Sequence, residues 1–195
     1  PIFSKLMVPE TDELTPGELT VPEKATSSMD AVTKGTLQGV ELLLNIIAML
    51  VVLVALVYLM NLILGLFPEF GGEPVTLQRL MGYIMAPMVW LMGIPLNEAI
   101  TAGALMGTKT ILNELLAYLD MSRLPAGALS PKSILIMTYA MCGFANPGSL
   151  GIMIGGLGTM APSRRSEIVS LGIRSLAAGT LATCMTGTVV GMLSG

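Results

Sequence analysis

Residues 140–156, AMCGFANPGSLGIMIGG, lie within an apolar run long enough to cross a bilayer, yet Asn146-Pro147-Gly148-Ser149 interrupts that run near its middle. A proline at 147 cannot donate to the carbonyl of Gly143, and Gly148 adds backbone freedom, so the helix is expected to open here. Main-chain groups freed at that depth must find partners in protein or in a water-lined cavity. Two readings follow from this segment. One is a proline kink healed by neighbouring helices, with Asn146 and Ser149 as interhelical hydrogen-bonding groups. The other is a discontinuous helix whose opened backbone and half-helix ends form a polar site near the bilayer midplane.

The surroundings are those of a membrane protein. The 195 residues are 53% hydrophobic and 12% charged, with a mean hydropathy of +0.77, which is more apolar surface than a soluble domain of this size buries. Long apolar runs cover Val40–Phe67, Ser133–Ala161 and Ile168–Leu193, each exceeding the roughly 20 residues that span hydrocarbon. They are rich in Leu, Met, Ile and Ala without strand alternation, which predicts helices rather than a barrel. The 16 methionines fit compliant helix packing.

Histidine is absent, and Cys142 and Cys184 lie far apart inside apolar runs, so neither a metal cluster nor a disulfide framework is expected. Without histidine no nucleophile–base pair stands out, and the chain does not read as an enzyme. A net charge of −3 with no basic tract argues against a nucleic-acid partner. The chain opens Pro-Ile-Phe, without an initiator methionine, and reads as part of a longer protein.

Five segments follow along the chain. Residues 1–35 read as the end of a preceding helix followed by a polar cytoplasmic connection, and residues 36–67 as a scaffold transmembrane helix marked only by Glu41, Asn45 and Asn61. Residues 68–96 hold a loop and a helix interrupted by Pro87 and Pro95, whose Tyr83 and Trp90 favour a bilayer interface. Residues 97–195 form the polar-site half: a hairpin over 97–121, a broken helix over 131–161 and a final helix over 166–193. The hairpin is expected because Lys109 and Glu114 would be costly in one lipid-exposed span. Two half-helices meeting at a protein-shielded tip, placed at Gly107-Thr108-Lys109-Thr110, avoid that cost. Arg164 and Arg165 put the last turn in the cytoplasm by the positive-inside tendency, and the C-terminus outside.

In the second half-helix, Asn113 is the expected N-cap and Glu114 falls in the first turn, where the helix dipole favours a carboxylate. Such a carboxylate accepts hydrogen bonds, two of them from adjacent hydroxyls. Two separate interruptions of apolar helices thus present polar groups at membrane depth, which favours a shared site.

The stretches GTKTILNELLAYLDM and CGFANPGSLGIMIGGLGTMAPSRRSEIVSLGIRSLAAGTLAT, 107–121 and 142–183, resemble the C-terminal half of concentrative nucleoside transporters, and the resemblance extends from about Ser4 to the end. It implies an all-α membrane protein, half of an inverted-repeat elevator carrier, that forms a homotrimer in the inner (plasma) membrane and couples nucleoside uptake to sodium or protons. In such carriers a glutamate of the second hairpin and an asparagine and a serine of the next broken helix bind ribose. The matching positions are Glu114, Asn146 and Ser149, with Phe144 matching an aromatic near the sugar; Asn113 completes the candidate substrate-binding set. Pro147-Gly148 stand where the commoner pattern has Phe-Ser, and Leu115 where it has Phe. The resemblance places the nucleobase contacts and the coupling-cation site in a half that nothing here matches, and no other cofactor is expected. The alternative from another class is a non-transporting membrane module, receptor-like or structural, that keeps a gate-like fold.

Overall fold

The computed structural model describes residues 2–9, 11, 25–72 and 74–194. Residues 12–24 of the expected polar connection, and the Asn45 amide, lie outside the described residues. The regular structure is helical: α1 Ile2–Met7, α2 Ser28–Leu64, α3 Leu77–Leu91, α4 Leu96–Ile111, α5 Glu114–Ser122, α6 Pro131–Met141, α7 Pro147–Met160 and α8 Arg165–Leu193. A 3-10 turn, Pro162–Arg164, leads into α8.

α2 begins at Ser28 rather than at 36. Ser27 caps it, its hydroxyl accepting from the Asp30 amide at 3.1 Å, and Asp30 pairs with Lys34 at 3.3 Å one turn on. These polar residues extend the helix past the apolar run, so hydropathy alone places its start too late. Its 37 residues make it about 55 Å long by helical rise. Among the described residues, the other segment long and apolar enough by itself to cross a membrane is 162–193. Only 6% of the most apolar stretch of α2 is buried, so this helix stands largely outside the packed body.

Asn61 ties α2 to that body. Its carbonyl accepts from the Leu77 amide at 2.8 Å and its amide donates to Gln78 at 3.0 Å, which pins the first turn of α3. α3 runs unbroken through Pro87, so the expected interruption there is absent. The chain turns instead after Leu91, where Gly93 adopts φ +98°, and α4 departs at 118°. Glycines set how closely the two helices approach. A Cβ on Gly82 would stand 3.1 Å from the Ile100 carbonyl, and one on Gly103 would meet the Gly82 carbonyl and come within 3.0 Å of the Ala86 nitrogen. Backbone therefore packs on backbone.

α6 and α7 lie in tandem along α8, antiparallel to it. Ile136 sits at Gly191, Ala140 at Gly187, Thr183 at Gly143, Ala145 at Gly179 and Leu150 at Gly172. The core joins α3, α4, α5, α6 and α8 through residues such as Val89, Leu105, Met106, Ala117, Ile136, Met137, Met141 and Cys184. The beginnings of α4 and α6 are also latched together. Glu98 accepts from the Ser130 amide at 3.1 Å and from its hydroxyl at 3.2 Å.

Candidate functional site

The first broken end is the turn between α4 and α5. Along a continuous helix Thr108 and Asp120 would stand about 18 Å apart; their hydroxyl and carboxylate are 3.3 Å apart, so α5 folds back on α4. The reversal occurs at Leu112–Asn113, not at Gly107–Thr110. Residues 107–109 are instead a buried part of the α4 shaft. Gly107 is small for packing rather than turning, since a Cβ there would lie 2.5 Å from that of Met81. Asn113, in extended backbone, caps α5 by accepting from the Leu116 amide at 2.9 Å, and Glu114 is the first helical residue.

The second broken end is the segment 142–146 between α6 and α7. The opening lies before the proline rather than around 147–149. Pro147 occupies the first helical position, where a missing N–H costs nothing, and α7 proceeds through Gly148 and Ser149. Asn146 caps it in a reciprocal box: its side-chain oxygen accepts from the Ser149 amide at 2.8 Å, and the Ser149 hydroxyl accepts from the Asn146 amide at 2.9 Å.

These two capped N-termini meet. The Asn146 side-chain amide donates to Glu114 Oε2 at 3.2 Å, while Glu114 Oε1 is buried and has no hydrogen-bond partner among the described residues. Tyr118 fastens α5 to α6 by donating to the Thr138 carbonyl at 2.6 Å. Beside the junction lies a cavity of about 200 Å³ lined by Glu114, Asn113, Asn146, Ser149, Phe144 and Gly148, and closed by apolar side chains.

Hydrogen-bonding capacity decides what this cavity receives. Glu114 Oε1 is acceptor-only and unengaged, whereas Asn146 retains one side-chain N–H donor after its bond to Glu114. The Ser149 hydroxyl donates to the Asn146 carbonyl at 2.7 Å, so toward a ligand it offers a lone pair and no proton. The Asn113 side-chain oxygen is occupied as a cap, and its NH2 keeps its donors. Phe144 sits in the opened segment with 66% of its surface exposed, a broad apolar face at the cavity's edge. The set suits a ligand carrying adjacent hydroxyl donors on a compact, partly apolar frame.

All five candidate residues therefore line one cavity. Sequence reasoning missed Ile46, Leu50 and Leu53 of α2 and Ile152 of α7, which complete the wall together with Leu112 and Leu115. An apolar residue on an apolar helix carries no mark of the direction it faces. It also placed Lys109 at the protein-shielded tip of the hairpin, whereas the residue is buried within the α4 helix behind the turn. Among the described residues no three His, Cys, Asp or Glu side chains come together as a metal-ligand set.

Two interrupted helices whose capped ends meet inside an apolar helical body are the architecture of a secondary membrane transporter. The chain belongs to the Na+-dependent nucleoside transporter family, whose C-terminal model matches residues 2–191. It is 41% identical over 196 residues to YutK, an uncharacterised transporter of Bacillus subtilis, covering 98% of this chain and 48% of that protein. It is 33% identical to the nucleoside permease NupC of Helicobacter pylori, covering 100% of this chain and 48% of the permease. Human solute carrier family 28 member 3 is 38% identical over 85% of this chain and 26% of its own length. Among solved structures, CNTnw in an inward-facing substrate-bound state superposes with a TM-score of 0.80 at 35% identity, covering 97% of this chain and 46% of that one. A CNTnw variant in an intermediate state gives 0.87 at 35% identity, covering 100% and 48%. The chain thus spans about half the length of its bacterial relatives, which are transporters and permeases, not enzymes.

Proposed function

We propose that the full-length protein is a cation-coupled nucleoside symporter, driven by sodium or protons, and that this chain carries the ribose side of its substrate site. The observation that carries the reading is the unengaged, buried Glu114 Oε1 at the wall of a cavity shared with Asn146, Ser149 and Phe144. A vicinal diol supplies the donors that this oxygen lacks, and the remaining Asn146 N–H meets a hydroxyl lone pair. Contacts to the nucleobase and the coupling cation belong, in this reading, to the half of the relatives' length that the chain does not match.

The carrier works as an elevator in a homotrimer in the plasma membrane, with the turn at Arg164 and Arg165 cytoplasmic and the C-terminus outside. Support comes from the family and from α2, whose apolar surface is left uncovered by the packed body. Reconstituted full-length protein accumulates labelled uridine or adenosine in vesicles when an inward sodium or proton gradient is imposed. High-affinity nucleoside binding with no gradient-dependent accumulation would point to the non-transporting module instead.

The α4–α5 hairpin enters and leaves the bilayer on one side in this reading. Leu96 and Ser122, at its two ends, are both exposed. Single cysteines at either position, with Cys142 replaced by serine, are labelled by a membrane-impermeant maleimide from the same face. Labelling from opposite faces would make the segment a span.

A further inference from the structure

Lys109 has no surface exposed to solvent and, among the described residues, heads the largest fully buried side chains, while its ammonium has no hydrogen-bond partner there. Volume does not account for it, since an apolar side chain of similar length fills the same space without desolvating a charge. The charge must be offset by a field rather than by contact. Part of that field is the C-terminal end of α4, whose last turn carries Lys109. The acidic side chain that acts on Lys109 is Glu114, and the uncharged thiol of Cys184 on α8 faces it as well. The other acid nearby, Asp120 of α5, is engaged by the Thr108 hydroxyl, and the Tyr118 hydroxyl by the Thr138 carbonyl. Lys109 and Glu114 therefore lie on the two arms of one hairpin, Lys109 behind the tip and Glu114 just past it, each with a buried polar atom lacking a partner.

We propose that Lys109 is the positioning residue for substrate binding: its ammonium, seated behind the hairpin tip, holds the Glu114 carboxylate with its free oxygen presented to the cavity before the ligand arrives. An unpaired carboxylate at membrane depth is otherwise costly. With the ammonium behind it, the sugar meets an acceptor that is already oriented, so less of the binding energy goes into organising the site. The inference rests on the reading of Glu114 as the ribose acceptor.

The test is a double-mutant cycle in the purified full-length protein, read as binding of uridine and of 2',3'-dideoxyuridine. Lys109→Met weakens uridine about tenfold or more and leaves the dideoxy ligand within about twofold of wild type. In a Glu114→Gln background the same substitution changes uridine binding by less than about twofold, because the group it acts through is gone. Lys109→Arg, which keeps the charge and changes the shape, retains the preference for the ribonucleoside. Equal loss of both ligands in Lys109→Met makes Lys109 a packing residue and overturns the proposal. An undiminished effect in the Glu114→Gln background overturns it as well, as does a ribose-selective loss in Lys109→Arg. If Glu114→Gln alone leaves uridine binding intact, it is the ribose site that fails, an outcome distinct from an additive cycle.

Discussion

Glu114→Gln in the full-length protein lowers affinity for a ribonucleoside by about ten- to a hundredfold, the loss expected when one hydrogen bond to a charged group is removed. The direction of the change is set by Asn146. Its side-chain amide donates to Oε2, so the glutamine oxygen takes that place and the NH2 replaces Oε1 at the cavity wall. An acceptor facing the sugar becomes a donor, and the charge disappears. A 2',3'-dideoxynucleoside lacks the hydroxyls at issue and loses much less. Titration calorimetry with both ligands separates this outcome from misfolding, which would weaken them alike. Ribonucleoside binding as tight as in wild type would show that the carboxylate is not a sugar ligand.

Gly103→Ala carries the largest expected effect on stability. The new methyl would meet the Gly82 carbonyl and stand 3.0 Å from the Ala86 nitrogen, both backbone atoms of α3. Neither can rotate aside, so α3 and α4 must separate. Overpacking of this kind costs roughly 1 to 3 kcal/mol, which outweighs the roughly 0.5 to 1 kcal/mol that alanine gains over glycine in a helix. Gly151→Ala is the contrast, because nothing lies within 4 Å of a Cβ there; it leaves the melting temperature unchanged or raises it. Should the two variants melt together, the α3–α4 contact is looser than its glycines indicate.

The spans, the two interruptions and the pairing of Asn113 with Glu114 were legible because each departs from an apolar background in a way that has one physical cause. An asparagine before an acidic residue caps a helix wherever the chain breaks, so that signal survived even though the break itself was misplaced. The misplacement has a clear origin. Gly107, Thr108 and Lys109 look like a tip while small and polar residues inside an apolar run are taken to mark a turn; here a tight contact with Met81, a bond to Asp120 and complete burial account for them. Pro147 was read as opening the helix around itself, whereas a proline at the first position starts the next one. The contact between Glu114 and Asn146 joins residues 32 apart in sequence, as does the latch between Glu98 and Ser130. No local pattern announces such a latch. The apolar wall contributed by Ile46, Leu50 and Leu53 was beyond reach for the same reason: only the packing says which way they face.

The seam between α8 and the tandem pair α6–α7 makes unequal demands on the length of the chain. From Gly172–Leu150 through Gly179–Ala145 to Gly191–Ile136, each small residue answers one particular neighbour. A single residue inserted into α8 between Gly172 and Gly179 would rotate everything beyond it by about 100°. Gly179, Gly187 and Gly191 would then swing away and larger side chains would take their places against α6. Such an insertion cannot be absorbed locally, because the half-helices on the other side of the seam end at the cavity itself. An insertion at the turn around Pro162, outside the seam, is expected to leave these contacts in place, while the seam admits substitution only by residues that keep its spacing.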